Sequence, residues 1–198
     1  AGGVFDRNLV LCEWQHYGGV RLGLSIGGGG TYAASACRNG DCSKEHEGAV
    51  IRNNIIMNCP NDVGLYLNKA PNTLVHNNIL MGTAGVDVRY EESYVTLHNN
   101  IVDGRIISRD GGVFDAANNI MSWWKAMLLR PVTNSIYRNV EQADFSPIQP
   151  HQLRDMGTAV QRPYTDFCGD LASMTNPDIG AFQIQSSRAC NDLREGHE

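Results

Sequence analysis

Four asparagine pairs, Asn53-Asn54, Asn77-Asn78, Asn99-Asn100 and Asn118-Asn119, recur at steps of 24, 22 and 19 residues. Each is followed directly by an isoleucine: Ile55, Ile79, Ile101 and Ile120. A repeat of this length points to a stacked architecture, in which each unit buries its apolar face only against its neighbours. The segments AVIRNNIIMN, TLVHNNILMG, VTLHNNIVDG and DAANNIMSWW align by eye. A short β-rich run enters each pair and a second apolar run leaves it. Before the next pair comes a further strand signal: residues 64–68, 85–89 and 105–109 alternate apolar and polar, the mark of a half-buried strand. No stretch between the pairs carries a long helical period.

Two or three short strands per turn of about 20 residues, with no helices, describe a coil of a parallel β-helix. The fold class expected is therefore all-β: a right-handed parallel β-helix solenoid of about five or six coils with a C-terminal cap. Asparagine suits its corners, because it tolerates the left-handed backbone conformation that a sharp turn needs. Stacked at one corner of successive coils, asparagine amides can also hydrogen-bond as a ladder. The coils are expected to occupy residues 1–140, and residues 141–198 a cap and tail of the same domain. A long insertion is expected over 27–47, opened by four glycines and closed by Lys44-Glu45-His46-Glu47. The glycine run lacks the Gly-Lys-Ser/Thr of a phosphate loop. Leu128 to Arg138 reads as one more irregular coil, with Tyr137-Arg138-Asn139 as its weak corner, and a short helix fits near His151 to Gly157. The chain opens within a coil, Phe5 to Val10, with no N-terminal cap in view; missing coils or an end-to-end second copy would cover that end.

At 198 residues and a net charge of −5, the chain is one domain whose bulk charge does not argue for nucleic acid. No apolar run is long enough for a membrane-spanning helix. The six cysteines have no CxxC spacing, and no His/Cys cluster has metal-ligand spacing. If Asn8 and Asn54 are equivalent corners, Cys12 and Cys59 face each other. Cys37 and Cys42 share a Gly/Ser-rich loop, and Cys168 and Cys190 bracket the tail. Disulfides Cys12–Cys59, Cys37–Cys42 and Cys168–Cys190 are expected, and with them a secreted or periplasmic location. The alternative is free buried thiols in a reducing compartment.

With Leu65, Val86 and Ile106 as equivalent inward positions, Tyr66, Asp87 and Ile107 form one outward column and Asn68, Arg89 and Arg109 the next. Extended both ways, the second column takes in Gly23 and Arg130. Arg21 would lie above Tyr66, and Lys69 and Asp110 just past the strand ends. Coils lie about 4.8 Å apart, so a row of arginines repels itself unless something anionic lies along it. That anion is either internal, from Asp87, Asp110 and Glu91, or an acidic polysaccharide whose carboxylates or sulfates fit the guanidinium fork.

Its Asn-Asn-Ile corners, Gly-Val-Asp-Val-Arg-type strand and late Pro177-Asp178-Ile179-Gly180-Ala181-Phe182 give this chain a family resemblance. From about Val4 to Phe182 it resembles the bacterial right-handed parallel β-helix proteins of the pectin lyase-like superfamily. That superfamily holds lyases, hydrolases, epimerases and proteins that only bind. A lyase acting on uronic acids needs a cation to neutralise the carboxylate, a role open to Arg89 and Arg109. It also needs a base and an acid, open to Lys69, Tyr66 or His46 of the insertion. Arg21, Asn68, Asp87, Asp110, Arg130 and His46 are the expected substrate contacts. No cofactor is fixed by the resemblance; Ca2+ is the one open candidate, although the chain shows no clear calcium-binding acidic cluster. The Asp-Asp and Gly-His-Gly motifs of polygalacturonase-like hydrolases do not occur. His76 and His98 precede asparagine corners and are expected only to stack or cap there. The function expected is recognition of an acidic polysaccharide, with cleavage by β-elimination open. The alternative is a non-catalytic carbohydrate-binding or structural, adhesive solenoid, which needs only the columns and aromatics such as Trp14, Trp123 and Trp124.

Overall fold

The computed structural model describes residues 2–12, 22–28, 43–60, 62–122, 131–161 and 163–184. Strands come in threes. The first coil is β1 (Val4–Asp6), β2 (Leu9–Leu11) and β3 (Leu24–Ile26), and the second β4 (Val50–Arg52), β5 (Ile55–Cys59) and β6 (Leu65–Asn68). The third is β7 (Thr73–His76), β8 (Ile79–Thr83) and β9 (Gly85–Arg89), and the fourth β10 (Tyr94–His98), β11 (Ile101–Val102) and β12 (Arg105–Arg109). β13 (Val113–Ala117) and β14 (Ile120–Met121) begin a fifth. Stacking makes three parallel sheets, ordered β1-β4-β7-β10-β13, β14-β11-β8-β5-β2 and β12-β9-β6-β3. The chain is a parallel β-solenoid. Its complete coils among the described residues are fewer than the five or six expected.

The corner between the first and second sheets explains the sequence repeat. The first asparagine of each pair takes the left-handed conformation, with φ of 52° at Asn53, 56° at Asn77, 59° at Asn99 and 51° at Asn118. In the first coil Arg7 holds that place, at φ 55°. The second asparagine points inward and builds a ladder of five, Asn8, Asn54, Asn78, Asn100 and Asn119. From Asn54 on, each Oδ1 accepts both the backbone N–H and the side-chain Nδ2 of the asparagine in the coil before it, at 2.8–3.0 Å. The ladder thus satisfies buried backbone donors that the turn leaves without a strand partner.

Alternating residues of the three sheets fill the interior, among them Ile51, Ile56, Leu65, Val75, Leu80, Val88 and Leu97. The second sheet is apolar on its outer side too, through Ile55, Met57, Ile79, Met81 and Ile101. Strands buried on both faces read as continuous apolar runs. Their cover is the C-terminal part of the chain, which contributes Ile136, Tyr137, Phe145, Leu153, Ile179 and Phe182 to one cluster with them. This part lies along the flank of the stack. The first asparagines hold it there: Asn53 donates to the Thr165 carbonyl at 2.7 Å, Asn77 to Asp178 at 2.7 Å, Asn99 to Thr158 at 2.9 Å and Asn118 to Met156 at 2.9 Å.

Two local expectations change. Tyr137–Asn139 is no corner; it is strand β15, following the single-turn helix α1 (Thr133–Ile136) and antiparallel to β16 (Asp144–Pro147). Near His151 there is only a 3-10 turn, Pro150–Gln152. The Pro177–Phe182 segment docks on the flank, where the Gly180 N–H donates to the Asn99 carbonyl at 2.8 Å. A Cβ at Gly180 would come within 2.9 Å of Ile101 and of the Tyr137 hydroxyl, so glycine is required by that contact.

Cys12 and Cys59 form a disulfide between the first two coils, as the equivalence of Asn8 and Asn54 requires. Cys168 is also disulfide-bonded. Cys37, Cys42 and Cys190 lie outside the described residues. No helix among the described residues is long and apolar enough to cross a membrane.

Candidate functional site

The outer face of the third sheet brings together most of the residues expected there. Register places Tyr66 beside Asp87 and Asp87 beside Ile107, and Asn68 beside Arg89 and Arg89 beside Arg109. The next corner supplies Lys69, Tyr90 and Asp110, all in the left-handed conformation at φ 48°, 69° and 50°. A left-handed lysine or tyrosine is uncommon, and here it turns the side chain back over the strand ends. The first coil is registered differently from expectation. Ser25, not Arg21, faces Tyr66, and Leu24, not an outward residue, faces Leu65. Gly23 therefore does not extend the arginine column. Arg21 and Arg130 lie outside the described residues, as do Trp14, Trp123 and Trp124.

Arg89, Arg109 and Lys69 of this face each have a carboxylate. Arg89 Nε donates to Asp110 Oδ2, and its Nη1 donates to the Tyr66 hydroxyl at 3.0 Å. Its guanidinium also sits 4.8 Å from the centre of the Tyr90 ring. Arg109 pairs with Asp87 at 2.9 Å, and Lys69 with Glu92 at 3.3 Å and over the Tyr90 ring at 5.6 Å. Asp110 and Tyr66 together raise the Arg89 pKa further, so its charge is fixed. The Asp87 side chain is 5% exposed, and that of Arg109 48%. Burial pushes the Asp87 carboxyl up, while Arg109 and Arg89 pull it back. Among the described residues, Asp87 Oδ1 is buried without a hydrogen-bond partner, as is Asn68 Oδ1. From the insertion, Glu45 rather than His46 reaches the face: its carboxylate accepts from Asn68 Nδ2 at 3.0 Å and from the Gly28 N–H. His46 lies against Gly3 instead, with Nδ1 buried and unpartnered. Among the described residues, no three His, Cys, Asp or Glu are grouped to hold a metal ion.

A second feature escaped the sequence. Between the outer face of the first sheet and the segment of Ala159, Val160, Gln161 and Pro163 runs a groove of about 760 Å³, lined by Arg52, His76, His98, Thr96, Leu74 and Val160 among others. Arg52, His76 and His98 occupy one register position on successive coils. The signal was the alternation of RNN, HNN and HNN before the asparagine pairs, but only the fold shows that a chain segment closes over it.

His76 is buried, and its ring meets the Tyr164 ring edge-on at 4.9 Å. Burial lowers its pKa from 6.5 to about 4. The folded state thus binds fewer protons than the unfolded one between those values. The stability this contributes is complete above pH 6.5 and is lost as pH falls toward 4, by about 3 kcal/mol in all. Buried Asp166 and Asp178 have raised pKa values and act in the opposite sense. The difference between wild type and His76→Gln isolates the histidine: urea unfolding between pH 7 and pH 4 is expected to show a shallower acid loss in the variant. Parallel pH curves for the two proteins would contradict this.

Comparison with known proteins identifies no matching family model, curated protein or solved structure.

Proposed function

We propose that the outer face of the third sheet binds an acidic polysaccharide, laid across the coils. One observation carries this reading. Arg89 and Arg109 stand on neighbouring coils, each held by a carboxylate of the protein, with guanidinium surface left to solvent and Tyr66 and Tyr90 alongside. A guanidinium held in one geometry loses little freedom on meeting a sugar carboxylate or sulfate, and its remaining donors keep the fork that such groups fit. The Cys12–Cys59 disulfide supports a secreted or periplasmic setting, where such polymers occur. The β-solenoid agrees with the resemblance to the pectin lyase-like superfamily at the level of fold.

Binding fits the site better than cleavage. In β-elimination the arginines must neutralise the substrate carboxylate, and here Asp87 and Asp110 already neutralise them. Lys69, the candidate base, is held by Glu92. These same pairs favour the second reading, a structural solenoid whose charges are satisfied internally.

The test is electrophoresis of the native protein through gels containing pectate, alginate, chondroitin sulfate or heparan sulfate, with and without Ca2+, alongside ultraviolet detection of unsaturated product. Retardation by at least one polymer, weakened by salt, with no unsaturated product is expected. Unretarded migration in all four gels would leave the structural reading.

A further inference from the structure

The groove on the first sheet stands apart from the third-sheet face and is lined by a buried histidine. His76 is 1% exposed. Its Nδ1 lies 3.0 Å from Asn77 Oδ1. The orientation of that amide is fixed, because Asn77 Nδ2 donates to the carbonyls of Asp178 and Gly180 at 2.7 and 3.2 Å. Oδ1 also accepts the Tyr164 hydroxyl at 3.0 Å. An acceptor surrounded in this way must accept from His76 as well, so Nδ1 carries the proton and Nε2 carries the lone pair. Nε2 has no partner among the described residues, and the ring lines the groove. An acceptor that opens onto a cavity can take a donor from water or from a ligand.

The neighbours define what else that ligand must do. One coil away, in register with His76, Arg52 offers guanidinium donors while its Nε and Nη2 hold Asp6 at 3.0 and 2.9 Å. One coil the other way stands His98. Asn72, Thr96 and Gln161 add groups that each donate and accept, beside apolar walls that include Val50, Leu74 and Val160. A carboxylate would set its lone pairs against Nε2, and a cation would meet Arg52. Adjacent hydroxyls satisfy both neighbours, one donating to His76 Nε2 and the next accepting from Arg52. The volume, about 760 Å³, lies within the range of small-ligand sites, roughly 300–1,000 Å³.

We infer that this groove is a binding site for a short neutral oligosaccharide, read through its hydroxyls by Arg52, His76 and His98. It differs from the proposed third-sheet site in place and in charge, so each can fail without the other.

The experiment is NMR of the full chain with 15N-labelled histidine, titrated with cellotetraose, mannotetraose and xylotetraose, and with tetraglycine as a peptide probe. The free protein is expected to show His76 protonated on Nδ1. At least one tetrasaccharide is expected to shift the His76 and His98 resonances saturably. Thr96→Trp, which fills the groove from a half-buried outward position, is expected to weaken that binding about tenfold or more, whereas Arg89→Ala leaves it unchanged. A proton on Nε2 would overturn the inference. So would histidine signals that no tetrasaccharide moves, or that only tetraglycine moves. Binding that Arg89→Ala abolishes and Thr96→Trp spares would overturn it too, by placing the sugar on the third sheet.

Discussion

Asn78→Ala is expected to lower the unfolding free energy by about 4 kcal/mol, from the two or three buried polar groups it strands at roughly 1–3 kcal/mol each. Asn78 Oδ1 accepts the Asn54 backbone N–H at 3.0 Å and Asn54 Nδ2 at 2.9 Å. Its Nδ2 reaches the Ile51 and His76 carbonyls at 2.9 and 3.1 Å and Asn100 Oδ1 at 2.9 Å. Alanine leaves the Asn54 N–H and the Ile51 carbonyl without these partners in a place where water does not enter. The same change at Asn119, the last rung and half-buried, is expected to cost less because water can replace what is lost. Urea unfolding followed by circular dichroism measures both. Equal effects, or an Asn78→Ala protein within about 1 kcal/mol of wild type, would mean that the ladder contributes no more than an ordinary hydrogen bond.

Removing the Cys12–Cys59 disulfide is the other large effect. Its sequence separation is 47 residues. Closing a loop of that size restricts the unfolded chain by about 4 kcal/mol at room temperature in the chain-entropy account. The bond spans the first and second coils, whose strands β2 and β5 are already paired, so its loss should leave the native register in place. Cys12→Ala/Cys59→Ala is therefore expected to fold natively and to unfold at lower urea. Identical unfolding midpoints for variant and wild type would contradict the account.

The architecture was legible because solenoid coils repeat their chemistry. The asparagine pairs fixed both the corner and the period, and the alternation in residues 64–68, 85–89 and 105–109 placed Tyr66, Asp87, Asn68, Arg89 and Arg109 in the columns where they stand. The Cys12–Cys59 bond followed from the same equivalence. The first coil misled because it lacks an asparagine pair, Arg7-Asn8 filling the corner, and extending the columns back to it placed Arg21 where Ser25 belongs. The flank was missed although its signal was present. Ile55-Ile56-Met57 and Ile79-Leu80-Met81 are apolar at consecutive positions, which says that both faces are buried, and an isolated coil buries only one. What covers the outer face is an irregular segment without period, so its docking on Asn53, Asn77, Asn99 and Asn118 could not be read from spacing. The groove at His76 follows from that docking and was hidden with it.

Binding of an acidic polymer by the arginine pair of the third sheet is the proposal on which the function rests. The direct test is the dissociation constant of Arg89→Ala/Arg109→Ala for whichever polysaccharide retards the native protein, with its urea unfolding curve beside it. Affinity is expected to fall by about tenfold or more per arginine, from charge-assisted hydrogen bonds of roughly 1.5–3 kcal/mol each, with a cooperative unfolding transition retained at a lower midpoint because buried Asp87 loses both neighbouring cations. Undiminished affinity in the double variant, or affinity lost only together with the fold, would contradict it and leave the arginines as partners of Asp87 and Asp110 alone.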